Sequence, residues 1–225
     1  MKPNDCPYIK NCSIQDCDSS CIRYREMRYL IDNSYIPPLY ANPFPVYPQN
    51  EQDKQVFIEL ARIKNDIVNF VSNGGNIFIC SRNTGVGKTT FATKMLLKYF
   101  DRIWSGNGFR TRGVFVHVPT LLLQLKDFSN PLSAQYKKDI METDLVIWDD
   151  IATSSLSEYD YNQLLLYIEY RINNKKANIF TSNITDKSYL EKIIGGRLTS
   201  RIYNSSRVYE LTGKDYRNGS NSNNK

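Results

Sequence analysis

The chain has 225 residues, 41% of them apolar and 12% aromatic, enough to bury one full-sized core plus a small appendage, which excludes a disordered or fibrous protein. No apolar leader follows Met1, and no uninterrupted apolar stretch approaches the ~20 residues a bilayer needs, so a cytoplasmic protein without membrane contact is expected. A formal net charge of +6 permits a polyanionic partner without demanding one.

Four of the five cysteines, Cys6, Cys12, Cys17 and Cys21, fall at the N-terminus. In a reducing compartment such clustering argues for metal thiolates, and four sulfurs suit tetrahedral Zn²⁺. With five, four and three residues between them the cysteines are not paired C-x-x-C knuckles, and plain thiols or an Fe–S cluster remain alternatives. Ile22, Met27, Leu30 and Ile31 then predict a short helix with one apolar face. The five prolines of residues 36–48 argue against helix and leave either an aromatic strap across the next domain or a semi-rigid spacer. The expected division is a zinc-binding module at 1–35, a Pro-rich linker at 36–52, a nucleotide-binding domain at 53–217 and a disordered tail at 218–225.

Val56, Phe57, Leu60, Ile63, Ile67, Phe70 and Val71 form one stripe and predict a single amphipathic helix over 53–72. The run Ile77-Phe78-Ile79-Cys80 reads as a buried strand, in which Cys80 fills core space, and Phe91 to Leu97 continues as a helix. Between them lies Thr84-Gly85-Val86-Gly87-Lys88-Thr89-Thr90. Strand, glycine loop and helix N-terminus in that order make a P-loop, because backbone N–H groups there converge on an anion. Gly85 and Gly87 let the backbone approach the phosphates, Lys88 is placed to bridge the outer ones, and the Thr89 hydroxyl to ligate Mg²⁺. The usual pattern has a glycine where Arg82 stands.

A basic, glycine-rich loop, residues 102–113, leads into a strand over 114–118. His117, the one histidine, has no carboxylate or serine in a motif with it and reads as a strand-end residue. A helix through Leu121, Leu122, Leu125 and Phe128 and a second over 131–141 carry Lys126, Lys137 and Lys138. Leu145-Val146-Ile147-Trp148 ends in Asp149-Asp150, a Walker B signature: acids at the C-terminal end of a parallel strand emerge beside the P-loop. Asp149 is the expected Mg²⁺ holder and Asp150 the group that polarises an attacking water. Ser157 to Asp160 predicts a helix start. The strand over 178–181 runs into Asn183, either a γ-phosphate sensor or a plain turn residue. Arg197 and Arg201 share one helix face, which suits an arginine finger acting in trans, a solvated basic face or a nucleic-acid contact. A last strand over 208–211 precedes Gly213-Lys214-Asp215-Tyr216-Arg217.

The order of parts, from the N-terminal cysteines and Ile36-Pro37-Pro38 through Thr84 to Thr89, Trp148-Asp149-Asp150-Ile151, Thr181-Ser182-Asn183 and Gly195 to Ile202, resembles the DnaC/DnaI family of replicative helicase loaders, in a bacterial or phage-encoded form. The resemblance implies an α/β AAA+ ATPase with a five-stranded parallel sheet flanked by helices and no C-terminal lid. By the same resemblance it hydrolyses ATP with Mg²⁺, self-associates when ATP-bound, and places a hexameric replicative DNA helicase on single-stranded DNA. It assigns Arg201 as arginine finger, Arg197 as its companion, Asn183 as sensor and Arg217 as a nucleotide-sensing residue. The zinc module becomes the helicase-binding handle, and the segment from Lys126 to Lys138 the DNA contact. An IstB-like transposition ATPase shares the core and the Gly-Gly-Arg box but typically lacks the cysteines. A nucleotide-switched adaptor without hydrolysis is the non-enzymatic alternative.

Overall fold

The computed structural model describes residues 6, 12, 18, 20–126 and 131–216; Cys17, Arg217 and residues 218–225 lie outside the described residues. In chain order the elements are α1 (Ile22–Asp32), α2 (Pro38–Ala41), α3 (Glu51–Asn65), α4 (Ile67–Ser72), β1 (Asn76–Cys80), α5 (Lys88–Ile103), β2 (Gly113–His117), α6 (Val118–Gln124) and α7 (Pro131–Glu142). They continue as β3 (Leu145–Asp149), α8 (Glu158–Asn173), β4 (Ala177–Ser182), α9 (Lys187–Ile194), α10 (Gly196–Ser205) and β5 (Arg207–Glu210). The strands form one sheet in the order β2-β3-β4-β1-β5, every pairing parallel.

Each central strand is apolar on both faces because helices cover both. Ile77, Ile79, Leu145, Ile147 and Ile179 face a core shared with Met95 and Phe100 of α5, Leu60 of α3 and Met27 and Leu30 of α1. Phe78, Val146, Trp148 and Phe180 alternate to the other face, against Leu164 and Ile168 of α8 and Leu198 and Ile202 of α10. Cys80 lies on this second face, and burial pushes its thiol up to about 12, an inert core side chain. Arg171 of α8 is fully buried at the N-terminal side of the sheet. Its Nη1 donates to the carbonyls of Ile140 and Thr143, its Nη2 to Ala177 O at 2.6 Å, and its Nε to Asn178 Oδ1 at 2.7 Å. Asn178 Oδ1 also accepts Trp148 Nε1 at 3.0 Å, so one polar cluster ties α7, α8, β3 and β4 together.

Three expectations change, and one helix, α9, was not foreseen. The helix expected over 53–72 is two, broken at Asp66 (φ −103°, ψ 34°), because the second piece turns to bury Ile67 and Val71 against the sheet while the sequence stripe stays continuous. The proline-rich segment holds one helical turn, α2, since Pro38 sits at the first helical position, where no N–H is needed. α9 carries no apolar repeat long enough to announce itself, and the Asp186 side chain caps it by accepting Tyr189 N at 2.6 Å. The helix expected through Phe128 ends at Gln124, and Phe128 lies outside the described residues.

The helix at the end of the 1–35 segment belongs to the main core rather than to a core of its own, and Ser34 O accepts the Phe115 N–H at 2.7 Å along the outer edge of β2. Cys6 is buried and Cys12 and Cys21 are half-buried. Among the described residues no group of three or more His, Cys, Asp or Glu side chains gathers to hold a metal ion, so no chemistry is derived through zinc. Among them, too, no helix is long and apolar enough to cross a membrane.

Candidate nucleotide site

β1 delivers the chain into the loop 81–87, and α5 starts at Lys88. Gly85 (φ 66°) and Gly87 (φ 94°) adopt left-handed backbone that side chains disfavour. The loop is packed from outside. A Cβ on Gly87 would meet Val46 Cγ1 at 2.8 Å, and one on Gly85 would collide with the Asp215 carboxylate. Tyr216 N donates to Gly85 O at 3.1 Å, and Asn83 Nδ2 to Gly213 O at 2.8 Å. The Pro-rich segment is indeed a strap. Tyr47 N donates to Tyr216 Oη at 2.9 Å, Gln49 pairs with both backbone groups of Lys214 at 2.6 and 2.8 Å, and Asp53 Oδ1 accepts Thr212 N at 2.7 Å.

Lys88 is buried, and its Nζ donates to Asn83 O at 3.1 Å and to Asn183 Oδ1 at 2.6 Å. Val86 and Thr90 are buried, Thr89 is half-buried and Thr84 is exposed. Asp149, 4% exposed at the end of β3, accepts Thr89 Oγ1 at 2.8 Å and Thr181 Oγ1 at 2.7 Å on its Oδ1. Burial raises its carboxyl pKa, and those two hydroxyl donors offset part of the rise. Asp150 turns out of the strand with φ 55°; its N–H donates to Thr181 Oγ1 at 3.0 Å, and its Oδ1 accepts Asn183 Nδ2 at 3.3 Å. Asn183 therefore joins Lys88 to Asp150 at the C-terminal ends of β1, β3 and β4.

A threonine hydroxyl and a buried carboxylate side by side are hard oxygen donors, the set that fits Mg²⁺. From Asp149 and Asp150 a cavity of about 570 Å³ extends to an aromatic wall of Tyr40, Phe115 and Tyr136. His117, read from sequence as a strand-end residue without a nearby carboxylate, lines it, with Nε2 3.8 Å from Asp150 Oδ2 and Nδ1 2.7 Å from Thr120 Oγ1. β2 and β3 are in register His117 against Asp149, a juxtaposition that no linear motif displays.

Arg197 and Arg201 are not tied to this cluster. Both are held by Glu169 of α8, Arg197 through Nε and Nη2 at 3.0 Å each and Arg201 through Nε at 2.8 Å. Arg82, in the glycine position of the usual motif, points to Thr185 Oγ1 at 3.2 Å. Of the lysines expected near DNA, Lys126 pairs with Asp160 at 3.1 Å and Lys138 reaches Glu142 at 4.0 Å. Glu169 was not singled out from sequence; His117, Thr181 and the proline-rich strap were noted there, but none was given a role at this site.

A family model described as IstB-like ATP binding protein matches residues 47–224. No curated protein matches the chain. Among solved structures, the chain is similar to the DnaC helicase loader, with 21% identity, 78% of this chain and 100% of that chain covered, and a TM-score of 0.66. The DnaI structure is 19% identical over 81% of this chain and 94% of its own, with a TM-score of 0.62. AMPPCP-bound DnaA from Aquifex aeolicus is 16% identical over 80% of this chain and 52% of its own, with a TM-score of 0.61. At these identities the likeness is one of fold.

Proposed function

Because the chain belongs to the IstB-like ATP-binding protein family, we propose that it binds and hydrolyses ATP·Mg²⁺ and uses that cycle to load a replicative DNA helicase onto single-stranded DNA. The observation that carries the ATPase reading is the continuous contact from Lys88 through Asn183 to Asp150, beside the Thr89–Asp149 pair. Lys88 exchanges the Asn83 carbonyl for phosphate oxygens, and Gly85 and Gly87 admit their approach. Thr89 and Asp149 would hold the Mg²⁺, which would supply positive charge against the outer phosphates. Thr181 keeps Asp149 oriented from behind, and its hydroxyl fixes the backbone at Asp150. Asp150 accepts a hydrogen bond from the attacking water, and Asn183 holds that carboxylate against Lys88. Arg201, with Arg197 beside it, completes the site of a neighbouring copy rather than its own, which fits their pairing with Glu169 instead of with Asp149 or Asp150. The loader reading is supported by fold likeness to DnaC and DnaI and by the N-terminal cysteines.

The test is size-exclusion chromatography with light scattering of this protein and its host's replicative helicase, with and without ATP·Mg²⁺, paired with steady-state turnover. A stable complex, and turnover lost in Lys88→Ala and Asp149→Ala, are the expected results. Lys88→Ala should weaken ATP binding about 10- to 100-fold, the worth of a lost charge-assisted contact. Wild-type turnover no faster than that of Lys88→Ala under every partner condition would leave only a nucleotide switch. A second reading, a transposition ATPase, is favoured by the family description itself. It gains if no helicase complex forms while a transposase stimulates turnover.

A further inference from the structure

Glu169 is a half-buried glutamate about three turns into α8, with no place in either recognised motif. Its carboxylate sits between two guanidinium groups one helical turn apart on α10. The two are not held alike. Arg197 engages Glu169 fork to fork, with Nε on Oε1 and Nη2 on Oε2, both at 3.0 Å. Arg201 donates only its Nε, at 2.8 Å, and among the described residues its Nη1–Nη2 edge takes no partner. That edge has the fork geometry which matches two oxygens of a phosphate. The Arg201 side chain is 52% exposed, whereas Glu169 is 20% exposed on a helix anchored by Leu165 and Ile168. α10 is anchored on the same core by Leu198 and Ile202, so carboxylate and arginine are mounted on two rigid, mutually packed helices.

We propose that Glu169 is a positioning residue that presents the outer edge of Arg201 to the terminal phosphate bound by a second copy of this chain. Like charges at i and i+4 repel, and an anion between them lets both arginines stay on one face without splaying apart. Arg197 fixes the carboxylate, and the carboxylate fixes Arg201. The hydrogen bond from Arg201 comes first among the influences that hold the Glu169 carboxyl below its ordinary range, followed among the favourable ones by that from Arg197. The inference rests on the reading of Arg201 as a residue acting in trans.

Mixed assemblies test both and separate them. The Lys88→Ala chain has a dead site but donates Arg201; the Arg201→Ala chain has an intact site and needs a donor. Mixing the two should restore turnover that neither shows alone. Glu169→Gln placed on the donor should cut the restored kcat about three- to tenfold, with the KM for ATP·Mg²⁺ and the thermal midpoint unmoved. Placed on the receiver, the same change should do nothing. Equal loss from either chain would mean a merely structural role and overturn the proposal, as would donor turnover unchanged or raised by Glu169→Gln. Failure of the unmodified pair to complement, with Arg201→Ala as active alone as the wild type, would overturn the trans reading itself.

Discussion

Asp149 carries opposed demands. The carboxylate must be ionised to hold Mg²⁺, yet burial raises its pKa, so without the metal the folded protein bears the cost of an ionised group 4% exposed. A folded-state pKa above the unfolded one means that this cost is fully present above the raised value, and is relieved as pH falls through it toward the ordinary 3.8. Asp149→Asn keeps an oxygen to accept from Thr89 and Thr181 and has no charge to desolvate. It should stabilise the metal-free protein by about 1 kcal/mol at pH 7.5 while abolishing turnover, with the gain closing as pH is lowered. Urea melts of both forms across pH check this, and a gap that widens toward low pH would contradict it. Gly85→Ala poses a steric test. A methyl at φ 66° is strained and strikes the Asp215 carboxylate, so the loop backbone must distort and the Asp215 side chain swing away from it. Nucleotide affinity measured by calorimetry should fall at least tenfold.

At the scale of elements, Arg171 sets the most sensitive joint. Its guanidinium satisfies the carbonyls of Ile140, Thr143 and Ala177 and one side-chain oxygen on β4, all in the interior. Arg171→Met fills similar space but orphans those acceptors, and the expected loss is about 3–5 kcal/mol, read as a thermal midpoint lower by roughly 10 °C or more. A shift of only a degree or two would show that water replaces the guanidinium. Nothing in the local sequence marks Arg171, which sits at the end of an otherwise ordinary amphipathic helix. What sequence displays well is local and periodic. The double-sided apolar strands β1, β3 and β4 are continuous runs, and the P-loop and Walker B stretches are contiguous in the chain. What it hides depends on residues far apart in sequence. The break at Asp66 sits in an unbroken apolar stripe, the Tyr47–Tyr216 and Gln49–Lys214 contacts join residues about 165 apart, and His117 meets Asp150 only through strand register.

Over the whole molecule, the N-terminal segment is part of the scaffold that carries the site. Met27 and Leu30, 3% and 1% exposed, pack into the same core as α5, and Ser34 O occupies the Phe115 N–H on β2, an edge strand of the sheet. Tyr35, Pro37 and Tyr40 continue from there into the aromatic side of the cavity that opens on Asp149 and Asp150. Cutting the chain at residue 36 therefore removes two core side chains, each worth about 2–5 kcal/mol, and bares strand-edge groups that invite aggregation. Cutting at residue 21 leaves α1, its Arg23 contacts to Asp101 at 3.2 Å and to the Trp104 ring at 5.3 Å, and the β2 edge covered. The shorter truncation should melt within a few degrees of the full chain. The longer one should melt far lower or scatter light as aggregate. If the chain from residue 36 melts like the full protein, α1 is a separable module and its packing contributes nothing. The distinction governs how partner binding is read: a helicase complex lost on deletion to residue 36 reflects a damaged ATPase core, whereas one lost in Cys12→Ser, with the melt unchanged, assigns the contact to the cysteine segment.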